Sequence, residues 1–260
     1  MSPRMKRTHP LRRASRAPAL VLALALALGL PNVAPVRAQA PDLTARADRL
    51  LGLPYRVDGV LDEKGRWTTF EHPEKTFDSP GLNCSGLEFA LMRLLAPSGP
   101  PASLAGRDRQ GDSGPGASMG QDWDYGFDLT LNLTEGLARR WLLPEPRAVS
   151  PADTGRETLG FPLSDEAAWR RALAQVKPGQ ACLVSFSQTG RRKGYTLQHY
   201  HVGVVLPDAT GGRWLYQSTP KSGVTKTNLT DPAGMKRFQA SFAGKDRRVL
   251  LLSADLPPAR

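Results

Sequence analysis

Cysteine and histidine are scarce in this chain: two of the first and four of the second in 260 residues. The two cysteines, Cys84 and Cys182, permit one disulfide, or a reactive thiol beside a bystander. Once His9 is set aside with the leader described below, His72, His199 and His201 are the histidines left to act as a base or a ligand. His199 and His201 form a His-x-His pair, but no acidic or cysteine cluster of ligand spacing accompanies them. Neither a metal nor a cofactor is expected. A long apolar run is missing too. Pro18 through Leu30 is too short to span a bilayer, so no stable membrane anchor is expected.

Charge is abundant, but it is unevenly placed. Arg4, Lys6, Arg7, Arg12, Arg13 and Arg16 precede the leucine/alanine run, and Ala38-Gln39-Ala40 follows it as a small-x-small exit site. Residues 1–40 read as a secretory signal peptide cut after Ala40, which makes the protein secreted or periplasmic. Arg12-Arg13 raises a twin-arginine route, but the residues after the pair do not fit that signal. Setting aside the seven basic residues of 1–40 leaves 28 of the 35 Lys/Arg against 24 acids, a net of +4. Most of the basic excess is therefore discarded with the leader, and a nucleic-acid partner loses its support. The mild remainder suits an anionic wall or membrane surface. Outside the reducing cytosol, a Cys84–Cys182 disulfide is the plain structural alternative to a reactive thiol.

From Pro41 the sequence predicts a short amphipathic helix over 43–51, an extended piece from Leu53 to Gly59, and a hairpin over 57–70 turning at Glu63-Lys64-Gly65. Ser79-Pro80-Gly81 is a turn, Asn83 a cap, and Leu87, Leu91 and Leu94-Leu95 carry the spacing of one buried helical face running to about Leu95. Residues 96–120 are dense in Gly, Pro and Ser and read as loop, not core. Trp123, Tyr125, Phe127 and Trp141 return aromatics, with a helix predicted over 134–141 and the piece expected to wall one side of a cleft. Another helix is predicted to start with Ser164, Asp165 and Glu166 and to end near Val176. The second half is β-rich, with strands at 181–186, 195–206, 213–218, 224–229 and 248–252 and a helix at 232–242. There is no internal repeat. Helices followed by an antiparallel sheet make an α+β domain.

Cys84 falls in the first turn of its helix, where unpaired N–H groups and the positive dipole end favour a thiolate. A thiolate is a nucleophile and wants a base beside it. Strand alternation in 199–206 places Tyr200, Val202, Val204 and Leu206 on one face and His199, His201, Gly203 and Val205 on the other. His201, two residues before a glycine that leaves open space, suits a base facing a cleft. A structural histidine is the plain alternative. Asn132-Leu133-Thr134 and Asn228-Leu229-Thr230 match glycosylation sequons by chance.

Leu51-Gly52-Leu53-Pro54-Tyr55, Gly59 and Asn83-Cys84-Ser85-Gly86-Leu87 together resemble the opening signature of NlpC-type bacterial cell-wall peptidases, secreted relatives of papain. Lys177-Pro178-Gly179-Gln180-Ala181-Cys182-Leu183 resembles their Pro-Gly-Asp-Leu-Val strand start, and His201-Val202-Gly203-Val204 their base-bearing strand. Trp214-Leu215-Tyr216-Gln217 falls where the family carries its third polar residue. The resemblance implies a papain-like NlpC-type domain over 41–260, with a nucleophile helix packed on an antiparallel sheet. It implies Cys84 as nucleophile, His201 as base and Gln217 as the residue orienting the imidazole. Tyr55, with the backbone at Cys84 and Ser85, would hold substrate and oxyanion.

Three departures stand out. Asn83 replaces the family's Asp, Gln180 that of Pro-Gly-Asp, and the third residue is Gln where His is commoner. The excess length between nucleophile and base maps to an insertion over 97–175, in which 97–118 reads as a mobile loop. The implied activity is hydrolysis of an amide in peptidoglycan stem peptides, typically between γ-D-glutamyl and a diamino acid, through a Cys84 thioester and by a monomer. Alternatives are an amidase or acyltransferase acting on another amide or ester, and a catalytically inactive wall-binding module.

Overall fold

The structure, a computed structural model, describes residues 42–112, 123–143, 145–192, 195–242, 244 and 246–258. The leader read over 1–40 lies outside them. The chain order is α1 (Leu43–Ala47), β1 (Gly59–Leu61), β2 (Trp67–Thr69), α2 (Cys84–Leu95), α3 (Ala102–Ala105), α4 (Tyr125–Leu133), β3 (Arg139–Trp141), β4 (Arg147–Ala148), β5 (Phe161–Pro162) and α5 (Glu166–Ala174). Then come β6 (Gln180–Arg192), β7 (Tyr195–Pro207), β8 (Arg213–Thr219), β9 (Gly223–Asn228), α6 (Pro232–Ser241) and β10 (Arg247–Asp255). This is a mixed α+β fold. Among the described residues β1 and β2 form the expected hairpin, and the other eight strands make one antiparallel sheet in the order β4-β3-β10-β6-β7-β8-β9, with β5 beside β10.

Alternation along the central strands decides what each face covers. Ala181 and Leu183 of β6 with Val202, Val204 and Leu206 of β7 pack under α1 and α2. Cys182, Val184 and Phe186 point the other way, into a cluster with Trp169 and Leu173 of α5 and Phe238 of α6. A sheet covered on both faces needs apolar residues at every central position, which is why these strands read as nearly continuous Val/Leu runs. The same alternation separates the cysteines. Cys182 is buried on the α5/α6 face, Cys84 starts a helix on the opposite face, and both thiols are free. The disulfide alternative fails because the sheet stands between them.

The insertion departs most from expectation. The helix of this region is α4, at 125–133, not 134–141. Thr134 closes it with its hydroxyl on Thr130 O, Gly136 turns at φ 80°, and Trp141 pairs with Leu252 as part of β3. Eight of α4's nine residues are buried, and Phe127, Leu129, Leu131 and Leu133 alternate with Asp128, Thr130 and Asn132, which reads as a strand's period and not a helix's. Phe127 stacks on Trp141 at 5.7 Å beneath β10, and the insertion thus extends the sheet. Residues 102–109 are also tied down. Ala102 and Ala105 are buried, Asn132 Nδ2 donates to Ala105 O and Arg107 O, and Arg109 N donates to Asp128 Oδ2. The reading of 97–118 as loop without core contact fails for that part, while 113–118 lie outside the described residues.

These contacts predict that Trp141→Ala lowers stability by about 3–5 kcal/mol, the usual cost of emptying a large buried aromatic site. Urea unfolding would measure it, and a loss under about 1 kcal/mol would show that the insertion is dispensable to the core.

Candidate active site

The loop that carries Cys84 is built by close backbone approach. Asn83 sits at the N-cap in extended conformation and its Oδ1 accepts from Gly86 N at 2.7 Å, so it caps without a charge. Leu87 N goes to Asn83 O. The N–H groups of Cys84 and Ser85 are then the first-turn donors without an intrahelical acceptor. A Cβ on Gly86 would collide with Gly59 O, and Asn83 N also donates to Gly59 O at 3.1 Å. Only glycine lets the helix start press against β1. Tyr55 arrives through the extended segment, held by Leu82 N to Pro54 O at 3.0 Å and Val224 N to Leu53 O at 2.9 Å.

His201 is placed by an irregularity in β7. Phe186 pairs with His201 and the next residue, Ser187, pairs with His199, so Tyr200 is an extra residue, a β-bulge. The bulge corrects the expected alternation. His199 turns toward α4, bonded through Nδ1 to Ser185 Oγ at 3.0 Å and through Nε2 to Gly155 O at 2.8 Å, between Trp123 and Phe127. It anchors the insertion. His201 turns the other way, its ring 5.1 Å from both Phe186 and Phe242. The His-x-His pair is therefore split across the sheet. Nor does Gly203 open space. The position of its missing Cβ lies 2.8 Å from Tyr216 O, so this glycine admits β8.

Gln217 completes the arrangement from β8. His201 Nε2–H donates to Gln217 Oε1 at 3.2 Å, which leaves Nδ1 as the nitrogen for the thiol. Burial pushes the Cys84 thiol up. The facing charge of His201, its hydrogen bond, the Val202 N–H and the Ser85 hydroxyl more than offset this, and the thiol falls from 9.0 to about 7. Cys182 goes the opposite way, raised by burial alone in the main. Tyr55 is raised by burial first, then by the Cys84 thiolate and Asp58, so its phenol stays a hydrogen-bond donor beside the sulfur.

Cys84, His201, Gln217 and Tyr55 line one cleft of about 560 Å³. Ser85 lies alongside, its buried hydroxyl 3.9 Å from the sulfur. None of the insertion's described residues lines this cleft, which corrects the expected wall of Trp123, Tyr125, Phe127 and Trp141. Sequence reasoning missed several neighbours. Phe186 and Phe242 clamp the imidazole, Ser218 Oγ ties β8 to Leu82 O at 2.7 Å, and Glu88 is buried one turn after Cys84. Burial, then the thiolate charge, raises the Glu88 carboxyl well above its ordinary value, favouring the neutral acid where an anion would compete for the imidazolium. Glu88 was legible as a carboxylate on the apolar face of a helix; Phe242 carried no signal.

The alkylation rate of Cys84 with iodoacetamide should rise with pH through a midpoint near 7, since the thiolate is the reactive form. His201→Ala removes the largest of the effects that lower the thiol and keeps the burial that raises it, so the midpoint should move up. Rates measured by mass spectrometry from pH 5 to 10 would check this, and an unmoved midpoint would break the pairing of the two groups. Cys182 should label only after unfolding.

No family model matches the chain, and no curated protein matches it. Among solved structures, it is similar to protein LPG0564 from Legionella pneumophila str. Philadelphia 1, given with the family model DUF1460. That likeness has 14% identity and a TM-score of 0.46, over 85% of this chain and 90% of the other.

Proposed function

We propose that this chain is a secreted, papain-like cysteine hydrolase of NlpC type that cleaves an amide bond in peptidoglycan stem peptides. The observation that carries the reading is the conjunction of a thiol at a helix start with an imidazole whose far nitrogen is held by Gln217. In the reaction, the Cys84 thiolate adds to the amide carbonyl. The N–H groups of Cys84 and Ser85, with the Tyr55 hydroxyl, receive the oxyanion. The imidazolium of His201 gives its proton to the leaving nitrogen as the C–N bond breaks, leaving a thioester. Water then attacks the thioester, His201 takes its proton, and the thiolate departs with the acid released.

A fold built only to bind wall material would have no use for a thiol lowered to about 7 in an open cleft. The insertion contributes no described residue that could block the cleft. Action outside the cytosol rests on the leader and the residue pattern of 1–40. Among the described residues no helix is long and apolar enough to cross a membrane.

Digestion of purified muropeptides, read by mass spectrometry, tests the reading: wild type should release stem-peptide fragments and Cys84→Ala none. Intact muropeptides with wild type would sink it. His201→Ala should abolish turnover with unchanged circular dichroism, whereas Gln217→Ala should retain on the order of tenfold more activity than that, because it orients the ring and carries no proton. His199→Ala should keep the chemistry and lose stability.

A further inference from the structure

The Tyr200 bulge delivers more than the base. Because the extra residue turns out beside His201, the tyrosine ring also lines the cleft, and its hydroxyl accepts from Arg247 Nη1 at 2.8 Å with the guanidinium 5.1 Å from the ring centre. Arg247 opens β10 and is half-buried in the same cleft wall, next to Phe242. The cleft holds a second cation, Lys221, in the exposed β8–β9 turn, and no aspartate or glutamate lines it among the described residues. Asp246 lines the adjoining cavity with Arg247 and Arg248. Neither Arg247 nor Lys221 enters an ion pair among the described residues. A half-buried guanidinium fixed by a phenol, with donors to spare and no acid as partner, is arranged for an anion from outside the chain.

We propose that Arg247, positioned by Tyr200, is the specificity-determining residue of the cleft and binds a carboxylate on the leaving-group half of the substrate. The placement follows from the chemistry, and it rests on the hydrolase reading above. His201 protonates the departing nitrogen, and the bonded pair of Tyr200 and Arg247 lines the cleft with His201, Tyr200 being its neighbour in β7. A residue whose nitrogen leaves toward His201 brings its own carboxylate to the guanidinium fork. Lys221 is exposed on a turn whose Gly223 lies against Leu53, so it acts through a solvent-screened field.

Two measurements separate this assignment from the hydrolase reading. In the first, Cys84 is alkylated by iodoacetate and by iodoacetamide, which differ by one carboxylate. The rate ratio of anionic to neutral reagent should fall on the order of tenfold in Arg247→Met, the scale of one cation at a partly screened site, and much less in Lys221→Met. Melting temperature and circular dichroism confirm that each variant is folded, and Arg247→Lys should fall between wild type and Arg247→Met. In the second, a stem-type peptide is offered with a free carboxylate or a carboxamide on the residue that donates the scissile nitrogen. Wild type should prefer the carboxylate in kcat/KM, and Arg247→Met should lose that preference.

A ratio that does not fall in Arg247→Met, or falls equally in Lys221→Met, overturns the site. Inorganic phosphate that protects Cys84 in wild type but not in Arg247→Met, where a carboxylate peptide fails to protect, assigns the site to phosphate and overturns the carboxylate. If the ratio falls as expected while neither peptide is cut, the anion site stands and the hydrolase reading fails.

Discussion

Burial and ionisation conflict at Cys84, and the site is built to settle that conflict. A partly buried sulfur prefers its proton, and left alone it would be a poor nucleophile at neutral pH. The facing His201 does most to turn the balance, helped by the Val202 N–H and the Ser85 hydroxyl, and together they bring the thiol to about 7. Everything near the site serves that placement. Asn83 caps the helix without adding a negative charge, Gly86 lets the helix start seat against β1, and Gln217 and two phenylalanines restrict the ring. Burial that keeps Glu88 neutral removes a competitor for the imidazolium.

The bulge at Tyr200 is the second device. A regular strand would send His199 and His201 to the same side. One extra residue sends them to opposite faces, and each gets its own task. His199 is spent on Ser185 and Gly155, holding the insertion against the sheet, while His201 enters the cleft. The bulge also brings Tyr200, and through it Arg247, to the same wall. Bulges that re-aim side chains beside functional sites are a common use of this irregularity.

The insertion between Cys84 and His201 is structural at its root. With α4 buried almost entirely and β3 paired to β10, its removal would open the sheet edge beside Trp141 and Leu252. Its aromatics serve the core, and the cleft is walled by the β8–β9 turn, Phe242 and Arg247, all from the last third of the chain.

Sequence alone was enough for the α+β class, the helix behind Cys84 and the strands around His201 and Gln217, because caps, glycines and periods of 2 and 3.6 are local signals. The grouping of Tyr55 and Gln217 with Cys84 came from the resemblance and not from those signals. It misplaced α4, because apolar residues at every second position of 127–133 mask a buried helix. It also misjudged 102–109, where small residues look like loop yet fit into a crowded core. Three things were decided by tertiary structure alone: which face each histidine takes, whether two cysteines can meet, and what lies around the imidazole. The face depends on register, and one unpaired residue in β7 reverses it. The cysteines are kept apart by the thickness of a sheet. The neighbours of His201 come from β6, β8 and α6, whose approach no local pattern encodes.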